Sequence, residues 1–144
     1  MRAVARLGAL DPLTSEMVRL RGARSHRCRV CQSRRSARAA AEGADESVYD
    51  QIDHFESSGL AEPHKAALRL VDAMLSQPRA YPSEMIADLR AWFSPAEIVE
   101  IVLDVARNAA NKIAVAFAAD TPNVSEGVEL YDIDERGDVI FGLT

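Results

Sequence analysis

Two cysteines, Cys28 and Cys31, stand three positions apart in the stretch SHRCRVCQSRR, Ser25 to Arg35, and the chain has no others. Three chemistries fit such a pair: a dithiol that cycles through a disulfide, half of a metal site, or two small buried hydrophobes at a helix contact. At this spacing on a helix both side chains share a face, within the Cα separation that a disulfide accepts. A reactive thiol needs its thiolate favoured, and a helix N-terminus or neighbouring cations would favour it. Arg19, Arg21, Arg24, Arg27, Arg29, Arg34, Arg35 and Arg38 crowd the same region. A closed zinc site needs four ligands, and His26, His54 and His64 show no ligand spacing among themselves. We expect neither a metal nor an organic cofactor. His26 lies closest to the thiols in sequence and reads equally as a loop residue.

Glu16 is the other candidate. It precedes Cys28 by twelve positions, about 18 Å along one straight helix and too far to act. With a break between Gly22 and His26 the chain folds back, and the carboxylate could accept a proton near the sulfurs. The bland alternative is a solvated glutamate favoured by the helix dipole in a first turn.

These residues need elements to hold them. Asp11 and Pro12 open a helix carrying Leu13, Met17 and Leu20 on one face. Ser25 is placed to cap a second helix, running through the cysteines to about Ala41 and ended by Gly43. Asp45 caps a short segment broken at Gly59. Glu62 onward is amphipathic through Leu68, Val71 and Leu75. Pro78 and Pro82 bracket a turn. SEMIADLRAWF, from Ser83, is a shorter helix. Ser94, Pro95 and Glu97 form a capping box that opens a helix to about Ala119, apolar nearly all round. The tail, VELYDIDERGDVIFGL, carries a hairpin signal around DERGD. A lone hairpin is marginal in water, so it docks on the body or on another subunit, or it is disordered. The expected division is a helical domain over 1–119 and a tail over 120–144.

The whole composition agrees with one globular unit: 144 residues, 48% hydrophobic, 27% charged, net charge −5. The chain is long enough to bury a core without disulfide staples. No apolar run is long enough to span a bilayer, and MRAVARLGAL lacks the h-region of a secretory signal. The expectation is a cytoplasmic protein, where Cys-x-x-Cys is redox-active or metal-binding more often than structural. Overall acidity argues against nucleic acid despite the arginines.

Glu16, eleven residues, and then Cys28-Arg-Val-Cys31 resembles the signature of the carboxymuconolactone decarboxylase superfamily, on its AhpD-like alkylhydroperoxidase branch. SEMVRLRGARSHRCRVC, EPHKAALRLVDAML and FSPAEIVEIVLDVARNAANKIAVAF are similar to that family's helices in the same order. The last includes an Asn-x-x-Asn-basic pattern at Asn108, Asn111 and Lys112. The resemblance implies an all-α fold that assembles as a homo-oligomer, often a trimer or hexamer. It implies a peroxidase or disulfide oxidoreductase that takes a small peroxide or disulfide substrate and is recharged by a dithiol electron donor. It implies too that the second cysteine, Cys31, attacks, that the first, Cys28, resolves, and that Glu16 feeds a proton relay through histidines. Those histidines are replaced here by Val30 and Arg35. Arginine does not shuttle protons near neutral pH, so the relay is interrupted as the family draws it. On that reading Arg35 supplies only charge, with His26 a possible substitute. Glu16→Gln should then change turnover little, and Arg35→His should raise it. The resemblance also implies a shortened start, since only residues 1–10 precede Asp11. The competing expectation is a non-catalytic relative that keeps the oligomeric scaffold and binds a partner or an anion through its arginines.

Overall fold

Asp11 accepts a hydrogen bond from the Thr14 backbone N–H at 2.8 Å, and Pro12 follows it, so the chain enters its central helix where the sequence predicts. The computed structural model describes residues 1–77 and 81–143; the expected turn between Pro78 and Pro82 lies partly outside them. In chain order the helices are α1 (Arg2–Ala5), α2 (Pro12–Ser25), α3 (Arg29–Gln32), α4 (Ala37–Ala41) and α5 (Glu46–Tyr49). A 3₁₀ segment, Asp50–Ser57, leads to α6 (Glu62–Ser76), α7 (Ser83–Trp92) and α8 (Pro95–Ala116). Three short strands, β1 (Arg34–Ser36), β2 (Glu129–Ile133) and β3 (Val139–Phe141), complete the fold.

Helix α2 lies between α6 and α8 and feeds two apolar clusters. Val18 joins Leu70, Val71, Leu89, Ile101 and Val105 on one side. Met17 and Leu20 join Tyr49, Ile52, Phe55 and Leu68 on the other. Leu13, Met17 and Leu20 thus share the face the sequence predicts, and Val18 buries a second side of the helix. Helix α8 begins with the predicted capping box: Ser94 accepts from Glu97 N, and Glu97 accepts from Ser94 N at 2.7 Å. It ends at Ala116, slightly short of Ala119.

One expectation is corrected. No continuous helix passes through the cysteines. Ser25 ends α2 instead of opening the next helix, and Arg27 takes a left-handed φ of 51° that reverses the chain. Gly22, expected to weaken this end, sits inside α2. The cysteines then occupy one turn, and the residues after it run extended as β1. Backbone pairing explains the extension. Arg34, Arg35 and Ser36 pair in parallel with Glu129, Leu130 and Tyr131 of β2. The predicted hairpin forms, with β2 antiparallel to β3 across the Asp134–Asp138 turn. Gly137 supplies that turn's φ of +83°. The fold is thus mostly helical with a three-stranded sheet. The sheet, through β1, is what the hairpin docks on.

Candidate functional site

Cys28 is the N-cap of α3, its backbone N–H donating to Ala23 O at 2.9 Å. Its sulfur accepts from the Cys31 N–H at 3.4 Å, and the two sulfurs lie 2.6 Å apart as free thiols. Cys28 is buried and Cys31 is half-buried. Cys31 lines a cavity of about 240 Å³ with Arg19, Asn108, Lys112 and Tyr131.

Glu16 does return toward the cysteines, as the break predicts, but through an intermediary. Its side chain is fully buried and accepts four hydrogen bonds. Arg19 donates from Nε at 2.7 Å and from Nη2 at 2.6 Å, Ser36 N at 3.0 Å, and the Tyr131 hydroxyl at 3.1 Å. These take up the acceptor capacity of the carboxylate. Arg19 carries the connection onward: Nη1 donates to Cys31 O and Nη2 to Arg34 O, both at 2.6 Å. Glu16 therefore fixes Arg19, and Arg19 ties the backbone of the cysteine turn to α2. Burial works to lower the Arg19 guanidinium, but Glu16 and Tyr131 outweigh it and hold it above its ordinary value. Burial, with Glu16 adding to it against Arg19, likewise lifts the Tyr131 phenol.

The electrostatic expectation for the thiols is also corrected. Desolvation first, and then the contact with Cys28, push the Cys31 thiol up to about 11, against the pull of Lys112 and Arg19. The clustered arginines do not offset this because they are engaged elsewhere. Arg21 and Arg24 meet Asp72 and Asp53. Arg29 reaches Ser125 O, Arg34 pairs with Asp120, and Arg38 pairs with Asp132. A single turn at α3 also gives a weaker N-terminal field than the long helix expected.

Arg35 is buried and held by Glu46 at 2.7 and 2.9 Å, by Gln32 O at 2.6 Å and by Arg34 O at 2.9 Å. Its guanidinium stacks over Tyr49, while the cations pulling the Cys31 thiol down are Lys112 and Arg19. The Arg35 guanidinium, by its hydrogen bond first, holds the Glu46 carboxyl below its usual range. His26 is exposed and uses Nδ1 on Gly22 O at 2.9 Å. Among the described residues no three His, Cys, Asp or Glu side chains gather as metal ligands.

Three neighbours of the thiols were not singled out as site residues by sequence. Arg19 is one of many arginines. Tyr131 comes from the far end of the chain. Lys112 did carry a signal: it stands at the end of an Asn-x-x-Asn pattern on α8.

Comparison with solved structures gives a chain from Agrobacterium tumefaciens at TM-score 0.63 and 26% identity, covering 77% of this chain and 78% of that one. It is a protein of unknown function, provisionally named an antioxidant-defence protein, AhpD. This chain has the AhpD-like fold. No family model matches it. The AhpD-like chain is 46% identical over 141 residues to the uncharacterized protein Rv2313c of Mycobacterium tuberculosis H37Rv, and equally to MT2376 of strain CDC 1551. The match takes in 97% of this chain and 50% of each relative, so the chain spans about half the length of the curated relatives it matches. None of its described helices is long and apolar enough to cross a membrane.

Proposed function

We propose that this chain is a thiol-dependent peroxidase or disulfide oxidoreductase of the AhpD type, working through Cys31 and Cys28. One observation carries the reading: two free sulfurs lie 2.6 Å apart, and the less buried of them lines a cavity. As a peroxidase, the Cys31 thiolate attacks the terminal oxygen of a hydroperoxide. The O–O bond breaks, an alkoxide leaves and takes up a proton, and Cys31 becomes a sulfenic acid. The Cys28 thiol then attacks that sulfur, forming the disulfide and releasing water. An external dithiol returns two electrons and two protons by exchange. Glu16 acts here as a positioning residue through Arg19. His26 and Arg35 take no part.

The proposal includes a cytoplasmic setting, a homo-oligomer, and helical and tail units divided near 119. The alternative of a scaffold that binds through an arginine surface draws little support. All of the clustered arginines except Arg27 are hydrogen-bonded to carboxylates or carbonyls.

The test is peroxide consumption with a dithiol reductant, wild type against Cys31→Ser. Mass spectrometry of the peroxide-treated chain should show loss of two hydrogens, reversed by reductant. Two thiols that stay free, or a Cys31→Ser variant that matches wild type, would sink the reading.

A further inference from the structure

Lys112 is a buried cation lacking a carboxylate partner among the described residues. Only 8% of it is exposed, on a par with Arg19, Arg35 and Lys65. Each of those three is paired, with Glu16, Glu46 and Glu62 respectively. Lys112 Nζ instead donates to a carbonyl of its own helix, Asn108 O, at 2.9 Å. A buried ammonium without a counter-charge is unfavourable, so a lysine kept in this position calls for an anion beside it.

The surroundings identify that anion. Lys112 lines the same cavity as Cys31. Gly22 of α2 packs against it so closely that a Cβ there would stand 3.4 Å from Nζ. The next residue, Ala23, accepts the Cys28 N–H, so the lysine and the thiol turn meet across one segment of α2. The groups acting on its charge are Cys31 and Cys28 from the turn and Arg19 from α2. Of these only the thiols can become negative. Asp120, the carboxylate lining the cavity, is held by Arg34 at 3.4 Å.

We propose that Lys112 is the counter-ion of the Cys31 thiolate and the proton source for the alkoxide that Cys31 displaces. The second half rests on the peroxidase reading above. Ionising Cys31 turns an uncompensated ammonium into half of an ion pair, and the two groups titrate as one unit. When the thiolate attacks ROOH, the terminal oxygen and its hydrogen stay on sulfur as the sulfenic acid. The leaving RO⁻ takes a proton from the Lys112 ammonium and departs as ROH. The amine then regains a proton from water. Burial lowers the Lys112 ammonium from its ordinary value, and Cys31 and Cys28 pull it back, as an acid in this role needs.

The experiment measures the pH profile of iodoacetamide alkylation at Cys31, read by peptide mass spectrometry on the reduced full chain. Lys112→Met should move the midpoint upward by about one unit or more, an alkylation rate roughly tenfold lower at neutral pH. Lys112→Arg, which keeps a fixed cation, should restore most of the rate. An unshifted midpoint in a folded Lys112→Met chain overturns the proposal. If that variant does not fold, the wild type still decides. The ¹³C shift of the Lys112 ε-methylene is titrated before and after Cys31 is capped with the neutral carboxamidomethyl group. A lower lysine midpoint after capping supports the pair, and an unchanged one overturns it. Peroxide consumption is scored separately: a wild type with the linkage but no turnover overturns the peroxidase reading and the proton-donor role, and leaves the ion pair standing.

Discussion

A thiol held up to about 11 leaves little thiolate at neutral pH, so in the proposed reaction Cys31 works against its own burial. Alkylation of Cys31 should therefore climb about tenfold per pH unit from 7 toward 10. A plateau already reached near pH 7 would refute the raised thiol. The sign for stability follows. A thiol pKa raised on folding stabilises fully below the unfolded value, and that stability is lost as pH rises through about 11. Glu16 and Arg35 both hold structure: Glu16 fixes Arg19, and Arg35 grips Glu46. Glu16→Gln leaves the buried Arg19 guanidinium without its carboxylate, and breaking such a pair costs about 3–5 kcal/mol. We expect Glu16→Gln to show its main defect in urea unfolding, with turnover falling as the Cys31 backbone loosens. Arg35→His should remove the grip on Glu46 and give no gain in turnover; a faster Arg35→His enzyme would overturn this account. Sequence made the thiols visible because their types and spacing are local, and Glu16 visible through the resemblance that its distance from Cys28 carries. It did not reveal that Arg19 stands between them, because the choice among eight clustered arginines depends on where distant carboxylates land.

At the scale of elements, the readable parts were those with local signals. Asp11 before Pro12 and Ser94 before Pro95 each fix a helix start through a side chain and its own backbone. Removing one should show it: Ser94→Ala should lower stability by about 1 kcal/mol, measured by chemical denaturation, with thiol reactivity unchanged. A loss much smaller than that would mean Glu97 and the proline suffice. The stretch from Ser25 to Ala41 reads as one helix but folds as two short ones around β1, for a physical reason. Its arginines and alanines favour helix, but the chain reverses at Arg27 and Arg34–Ser36 pair with a strand almost a hundred residues later. Tertiary pairing outweighed local preference, and nothing within the window announces the partner.

At the scale of the molecule, α8 leaves apolar side chains in solvent. Val99 is 56% exposed, Ile113 60% and the adjacent Phe117 81%, and Trp92 on α7 is 50% exposed. Such a stripe is the surface on which a homo-oligomer would close. Light scattering at micromolar concentration should give a multiple of 15.7 kDa, and Ile113→Asp with Phe117→Asp should reduce it. A wild type that stays at the single-chain mass would refute the assembly.

The pairing of β1 with β2 has a consequence in time. During synthesis the cysteine turn leaves the ribosome long before Glu129–Tyr131 exist to hold Arg34–Ser36, and before Tyr131 can reach Glu16. Until then two reactive sulfurs sit in an unfinished turn. The nascent chain is thus most open to stray oxidation early, and the window closes only when β2 has been made and pairs with β1.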